Sequence, residues 1–539
     1  MSKQQKAILG LLIILFLPFI SWFFIAKFYY GFDKTNMKIR IPAMIEHTFE
    51  LLPLTLSLIL GLIFGIIITI LIFIFIEENP FKGVKIKKFY RGSQIVTAKR
   101  LASLTRKLRQ KQLTIANIPV PVDVETTHFA LIGATGTGKT TIIKEMMYGV
   151  LKRQDRMVVL DPDGEFYKTF GKKNDLILNP YDKRSQKWSF FNEIEDDYDF
   201  ERNAASIVQK SNSSDSEEWN RYGRLFLTET ARKLYATRAN PTTQELFYLT
   251  NIVDTEEIKE FLEGTPAQSL FAEGAERALG STRFVLGNSL SSHLQIEHGD
   301  FSIRKWLRQD NNQNLFITWR EPQRAALKPL ISCWVDILFT SVLGMEQNLK
   351  KRLFCFIDEL ESLSNLPTLG DALTKGRKKG LCLVNGFQTY TQLQNVYGDK
   401  QAETMLSNHR SLVCFAIGRT GDATANFISK ALGQHEIERI KSNMGLSSKN
   451  IFTSNQSEYC TENVVLTSEI MALKNLEGFV SFAGDYPIAR FKTKITNYQR
   501  TESIEPFVKK TRGVVDLHFL ETDNNYQNAS AANDINNIL

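Results

Sequence analysis

Apolar and polar positions divide the chain into distinct territories. Residues 8–26 and 51–76 are two long apolar stretches without a single charge. The second runs about 39 Å as a helix, longer than a ~30 Å hydrocarbon core, so it must tilt or protrude. From residue 129 onward, short apolar runs of strand length alternate with helical periodicity: 129–132, 157–161, 315–319, 353–358, 381–386, 412–417 and 479–482. Helices between strands predict a largely parallel sheet wound on both faces. The alternation stops between about 183 and 299. There, Thr242-x-x-Glu245 after Asn240-Pro241 reads as a capping box, and Asp254-x-x-Glu257 opens another helix that Gly264 would close. The expected organisation is a membrane anchor (1–78), an α/β domain in two parts (79–182 and 299–500), an inserted all-α domain (183–298) and a polar tail (501–539). No internal repeat is visible.

The first apolar stretch has two readings. Lys3 and Lys6 resemble the basic end of a signal peptide, but no small-x-small cleavage site follows. The aromatic run at residues 23–30 fits an interfacial belt instead, so the stretch reads as an anchor. Seven basic residues follow the second stretch: Lys82, Lys85, Lys87, Lys88, Arg91, Lys99 and Arg100. By the positive-inside rule they place that side in the cytoplasm, and two spans place both chain ends there. The segment 27–50 becomes a small outside loop.

Charge and cysteine usage refine this picture. The 539 residues carry a formal net charge of +8, which suits an anionic partner, nucleic acid or a membrane surface. Residues 91–111 are strongly basic, a pattern that a solvated or lipid-facing surface explains. From 501 the chain turns acidic by three charges and ends rich in Asn and Ala, the composition of a mobile tail. The five cysteines, Cys333, Cys355, Cys382, Cys414 and Cys460, stand singly and form no C-x-x-C pair. Buried reduced thiols, and a reducing compartment, account for them.

The chemistry begins at Gly133-Ala134-Thr135-Gly136-Thr137-Gly138-Lys139-Thr140, which fits G-x-x-x-x-G-K-[ST] at every fixed position. Strand, loop and helix follow one another here, the context the pattern requires. The glycines let backbone approach phosphate, and loop N–H groups and the helix start, through Thr141, face the anion. Lys139 would reach the outer phosphates of ATP, and Thr140 would hold Mg²⁺. The run Leu353 to Glu359 supplies the partner strand, ending in two carboxylates: Asp358 for the Mg²⁺ shell and Glu359 to polarise the attacking water.

Gln388 stands just past the strand at 381–386, at the edge where such sheets bind ligands. It could bond a γ-phosphate or position water. Arg377, in the basic run 374–380, and Arg320, after the strand at 315–319, compete for the role of an arginine finger reaching a neighbouring subunit. Lys375, Lys378 and Lys379 could meet a DNA backbone or simply be solvated. Asp161-Pro162-Asp163-Gly164-Glu165-Phe166 reads as a tight turn before it reads as a catalytic acid.

Taken in order, these motifs resemble a known family. The glycine loop, the stretch from Asp161, LFITWRE (315–321), LKPLIS (327–332), FIDEL (356–360), GRKKG (376–380) and GFQTYTQL (386–393) are similar to the type IV coupling proteins, the TrwB/TraD-like ATPases of conjugation. The resemblance runs from the spans to about residue 500. It implies a RecA-like P-loop NTPase domain, an inserted all-α domain and two transmembrane helices. It also implies a homo-hexamer in the bacterial inner membrane with ATP sites at subunit interfaces. DNA, bound without regard to sequence, would pass through a central channel. Relaxase proteins and secretion-channel components would be partners. By residue match it assigns the γ-phosphate sensor to Gln388 and the trans-acting arginine to Arg377. The alternatives are an FtsK-like chromosome motor and a docking receptor with little ATPase activity. Two spans and no winged-helix-like end argue against the first, and an intact Lys139, Asp358 and Glu359 against the second. No LSGGQ-like signature supports an ABC transporter ATPase.

Overall fold

A computed structural model describes residues 3–31, 36–75, 86–211, 213–348, 350–447, 450–498 and 504–511. The chain divides into two compact units, residues 1–88 with 438–459, and residues 89–437 with 460–539. Lys82 and Lys85, and the tail from residue 512 onward, lie outside the described residues.

In the first unit, helices Lys3–Tyr30 and Leu52–Phe75 lie against one another. Their segments Ala7–Tyr30 and Leu52–Phe73 are long and apolar enough to cross a membrane. Small residues set how closely they approach. A Cβ on Gly61 would overlap Ser21 and come within 2.7 Å of Pro18 Cα, and one on Gly65 would sit 3.3 Å from Ile14 Cα. Ser21 Oγ crosses the contact and donates to the Ser57 carbonyl at 2.7 Å. Close backbone contact with a polar cross-link is how helices associate where lipid offers no hydrophobic drive. Between them, the segment expected as a plain loop contains a helix, Met37–Glu46, and Trp22 Nε1 donates to Thr48 Oγ1 at 3.2 Å.

The second unit is built on ten strands: β1 (Ile95–Thr97), β2 (Phe129–Ile132), β3 (Arg156–Pro162), β4 (Leu176–Leu178), β5 (Leu315–Trp319), β6 (Leu353–Ile357), β7 (Leu381–Phe387), β8 (Ser411–Phe415), β9 (Glu477–Ser481) and β10 (Ile488–Lys492). Their order is β1-β10-β9-β8-β2-β7-β6-β3-β5-β4. From β8 to β4 every pairing is parallel, whereas β9 pairs antiparallel with both β8 and β10. All seven apolar runs read from the sequence are strands. The three unread ones, β1, β4 and β10, lie at or near the sheet margins, where short length and mixed exposure weaken the apolar signal.

Successive strand residues feed two cores. Ala130, Ile132, Cys355, Ile357 and Leu383 face one; Phe129, Leu131, Phe354, Phe356, Cys382 and Val384 face the other. Burial on both sides is why these strands read as continuous apolar runs. Four of the five cysteines are buried as free thiols, and Cys460 is partly buried. Helix Arg324–Gly344 is also apolar enough to span a membrane, but it lies largely buried in this unit, with Cys333, Trp334 and Leu338 in the first core.

The segment between the edge strand β4 and its neighbour β5 is helical. It includes Tyr198–Ile207, Ser214–Thr237, Thr243–Asn251, Thr255–Phe261 and Glu276–Leu290. The Thr242/Glu245 capping box forms, with Glu245 N donating to Thr242 Oγ1 at 3.1 Å and Thr242 N to Glu245 Oε2 at 2.8 Å. These helices share the core of one sheet face.

Glu193 ties the entry of this segment to its exit. Its buried carboxylate accepts from Trp188 Nε1 (2.9 Å), Ser302 Oγ (3.0 Å), Ile303 N (2.7 Å) and Arg304 N (3.2 Å). Burial raises its pKa, and those four donors offset the shift.

Residues 504–511, assigned by polarity to the tail, lie along this unit. Lys183 N donates to the Val508 carbonyl at 2.9 Å and Lys510 N to the Tyr181 carbonyl at 3.0 Å. Gly164, at φ +70°, leaves room for the Pro506 carbonyl, where a Cβ would collide.

Glu193→Ala removes the acceptor and strands buried donors. It should cost about 3 kcal/mol and lower the melting temperature, with proteolysis concentrated in residues 190–308. Unchanged melting would contradict the tie.

Candidate functional site

The loop after β2 is held by its neighbours' ends. Gly133 N donates to the Phe387 carbonyl at 3.2 Å and Ala134 N to the Ala416 carbonyl at 2.9 Å. A Cβ on Gly133 would sit 2.7 Å from Phe415 Cβ and 2.8 Å from Thr137 Oγ1, so only glycine fits. Gly136 (φ +75°) and Gly138 (φ +126°) adopt backbone that other residues resist. Thr135 and Gly136 form the exposed tip. Helix Lys139–Arg153 then begins, with Thr140 and Thr141 in its first turn. The loop amides and the helix start together make an anion cradle.

Lys139 is buried and folds over the loop, donating to the Gly133 carbonyl at 2.6 Å. Burial lowers its pKa, and Asp358, Glu361 and Glu359, in that order, act against the fall.

Thr140 Oγ1 donates to Asp358 Oδ2 at 2.7 Å, across 218 residues of sequence. Asp358 Oδ1 is buried and has no hydrogen-bond partner. Burial raises this carboxyl's pKa. A hydroxyl and a carboxylate with one oxygen unspent are hard oxygen ligands, the set a Mg²⁺ ion takes. Among the described residues no cluster of three or more His, Cys, Asp or Glu forms a metal site of its own. The pair therefore fits a metal completed by a ligand's oxygens.

Beside them Gln388, one residue past β7, donates from Nε2 to Glu359 Oε1 at 2.7 Å. Its backbone N–H donates to Glu361 Oε1 at 2.9 Å. Glu361 was not read from the sequence. The turn Leu360–Ser362 carries it back toward the strand ends. The signal was present: a third acid, three residues after Asp358. Gly386 makes the junction possible, because a Cβ there would overlap the Asp358 carbonyl oxygen.

The two arginines part company. Arg320 follows β5 at the loop-bearing edge, but its guanidinium lies over the Phe507 ring at 5.5 Å. Arg377 is exposed in the turn Gly376–Lys379, before β7 begins. A seven-residue strand, roughly 20 Å, separates it from its own loop. It is braced at that end: His128 Nε2 donates to the carbonyl of Leu373, in the preceding helix, at 3.0 Å, and His128 Nδ1 accepts from Leu383 N at 3.1 Å. Lys375 pairs with Asp371 at 2.9 Å, and Lys379 Nζ donates to the Met345 carbonyl. Asp161 is structural. It is buried, accepts from Phe166 N (2.9 Å) and Tyr167 N (2.6 Å), and burial raises its pKa to about 7.

Residues 112–494 match the profile of the type IV secretion-system coupling protein DNA-binding domain. The chain belongs to the type IV coupling proteins. It is 30% identical over 416 residues to the coupling protein TraD of Escherichia coli K12, covering 74% of this chain and 56% of TraD. With the conjugal transfer protein TraG of Agrobacterium fabrum C58 it shares 26% over 179 residues, 33% of this chain and 27% of TraG. The chain thus spans about half the length, or less, of these two relatives. The unbound coupling protein TrwBdeltaN70 is 46% identical, with a TM-score of 0.75 over 80% of this chain and 98% of that one. TrwB in complex with ADP and Mg²⁺ is 45% identical, with a TM-score of 0.74 over 80% and 99%. These structures establish for this coupling protein the RecA-like P-loop fold with all-α parts.

Gly386→Ala should destabilise the unit by about 2 kcal/mol, since a methyl has no space against Asp358. Gly280→Ala, where an added Cβ meets nothing within 4 Å, should be neutral or stabilising by up to ~1 kcal/mol. Thermal melting of the two variants distinguishes them.

Proposed function

We propose that this coupling protein is an inner-membrane, ATP-driven DNA translocase that couples a relaxase–DNA complex to a type IV secretion channel. One observation carries the hydrolytic reading: Thr140 bonded to Asp358, next to Glu359 bonded to Gln388, at the ends of three adjacent parallel strands. Gly133 to Thr141 would cradle the triphosphate, and Lys139 would turn from its loop carbonyls to the outer phosphates. Thr140 and Asp358 would hold Mg²⁺, which supplies charge neutralisation at the phosphates. Glu359 accepts a proton from, or orients, the attacking water, and Gln388 fixes Glu359 and senses the γ-phosphate. The ADP–Mg²⁺ complex of TrwB supports this choice of ligands.

The site is shared between subunits in this reading. Arg377 lies too far from its own loop to act there, so it serves a neighbour's nucleotide in a ring, a homo-hexamer. The matched DNA-binding profile and the net charge of +8 support a DNA track held through its backbone. The two apolar helices support a two-pass anchor with the sheet unit and both chain ends on the cytoplasmic side.

Two measurements test this. The purified full-length protein should hydrolyse ATP faster with DNA of unrelated sequences, the stimulation fading as salt rises, and Lys139→Ala should lose at least about 100-fold. ATPase indifferent to DNA would refute the motor and favour a docking receptor. Separately, Lys139→Ala and Arg377→Ala proteins should each be inactive yet regain partial activity when mixed, since some mixed interfaces restore both groups. No recovery with assembly intact would remove Arg377 from the shared site.

A further inference from the structure

Glu361 has more to do than close a turn. Gln388 is gripped twice, its side-chain amide by Glu359 at 2.7 Å and its backbone N–H by Glu361 at 2.9 Å. The first bond aligns two reactive side chains; the second fixes the backbone from which one of them springs. Accepting one backbone amide engages only Oε1. The second oxygen, Oε2, is buried without a hydrogen-bond partner. An acid kept in so desolvated a place is costly unless hydrogen bonds or charge nearby compensate it. Backbone hydrogen bonds, that of the Gln388 N–H among them, supply most of that compensation, and the Lys139 ammonium adds to it. Burial raises Glu361 to about 6; backbone hydrogen bonds, including that from Gln388, oppose the rise, Glu359 adds to it and Lys139 acts against it.

We propose that Glu361 is a positioning residue for ATP hydrolysis, acting through Gln388 to hold Glu359 at the attacking water. The assignment rests on the hydrolytic reading above and deepens it. Because β7 ends at Phe387, Gln388 has no further strand pairing of its own to anchor it. The Glu361 bond replaces that anchor. A glutamine at 361 would still present an amide oxygen to the Gln388 N–H, whereas alanine would not.

A double-mutant cycle in the full-length protein tests the proposal, with kcat and KM for ATP, nucleotide binding and melting temperature measured for each variant. Glu361→Ala should lower kcat about 10- to 100-fold with KM and ADP binding nearly unchanged, and Glu361→Gln should recover most of the loss. In a Gln388→Ala background, Glu361→Ala should cost little more, because the side chain it positions is gone. Independent, multiplicative losses would overturn the route through Gln388. Loss of folding or of ADP binding in Glu361→Ala, or no recovery in Glu361→Gln, would reduce Glu361 to a structural role. Glu359→Gln and Lys139→Ala separate the two levels of the argument. If both are inactive while Glu361→Ala is normal, the Glu361 assignment alone fails; if both retain full activity, the hydrolytic reading fails with it.

Discussion

The parallel pairing of β7 between β2 and β6 is the constraint on which the candidate site depends. Phe387 stands beside Ile132, and Asn385 beside both Ala130 and Ile357. Parallel strands deliver like ends to one edge, so the glycine loop, the acid pair and Gln388 emerge together. Gly386 removes the one side chain that would keep β7 off the Asp358 backbone. Hydrogen bonds of 2.7 Å between residues 218 and 29 positions apart follow from that pairing rather than from local sequence.

The same geometry separates the two ends of the sheet. The residues of the candidate site gather where strands end, while Arg377 sits where β7 starts, close to the contacts of His128 at the start of β2. His128 is buried and its pKa is pushed down to about 3, so it stays neutral and acts as a fixed donor and acceptor.

Much of the molecule was legible because it depends on short-range patterns. Two uncharged apolar stretches are helices, seven apolar runs are strands, and Thr242 with Glu245 forms its capping box. The misreadings have physical causes. β1 and β4 are only three residues long, too short for an alternation to register. Residues 504–511 look like tail because what holds them to the sheet unit lies far off in sequence, backbone bonds to residues 181 and 183 and Arg320 over Phe507, to which composition is blind. Glu361 carries only the weak local signal of a third acid, because its contact comes through a turn and from a residue 27 positions away.

The sequence alone determined which residues could do chemistry and which segments must be buried. Phosphate cradles, strand periodicity and apolar spans are properties of neighbouring residues, and they survive without knowledge of the fold. Only the tertiary structure decided who meets whom. It put Arg320 against Phe507 and Arg377 at the far end of the sheet, gave Asp161 the backbone N–H groups of Phe166 and Tyr167, and added Glu361 to the acids around Lys139. Those choices turn on strand order and register, which are set by packing across both faces of the sheet and leave no trace in any short stretch of chain.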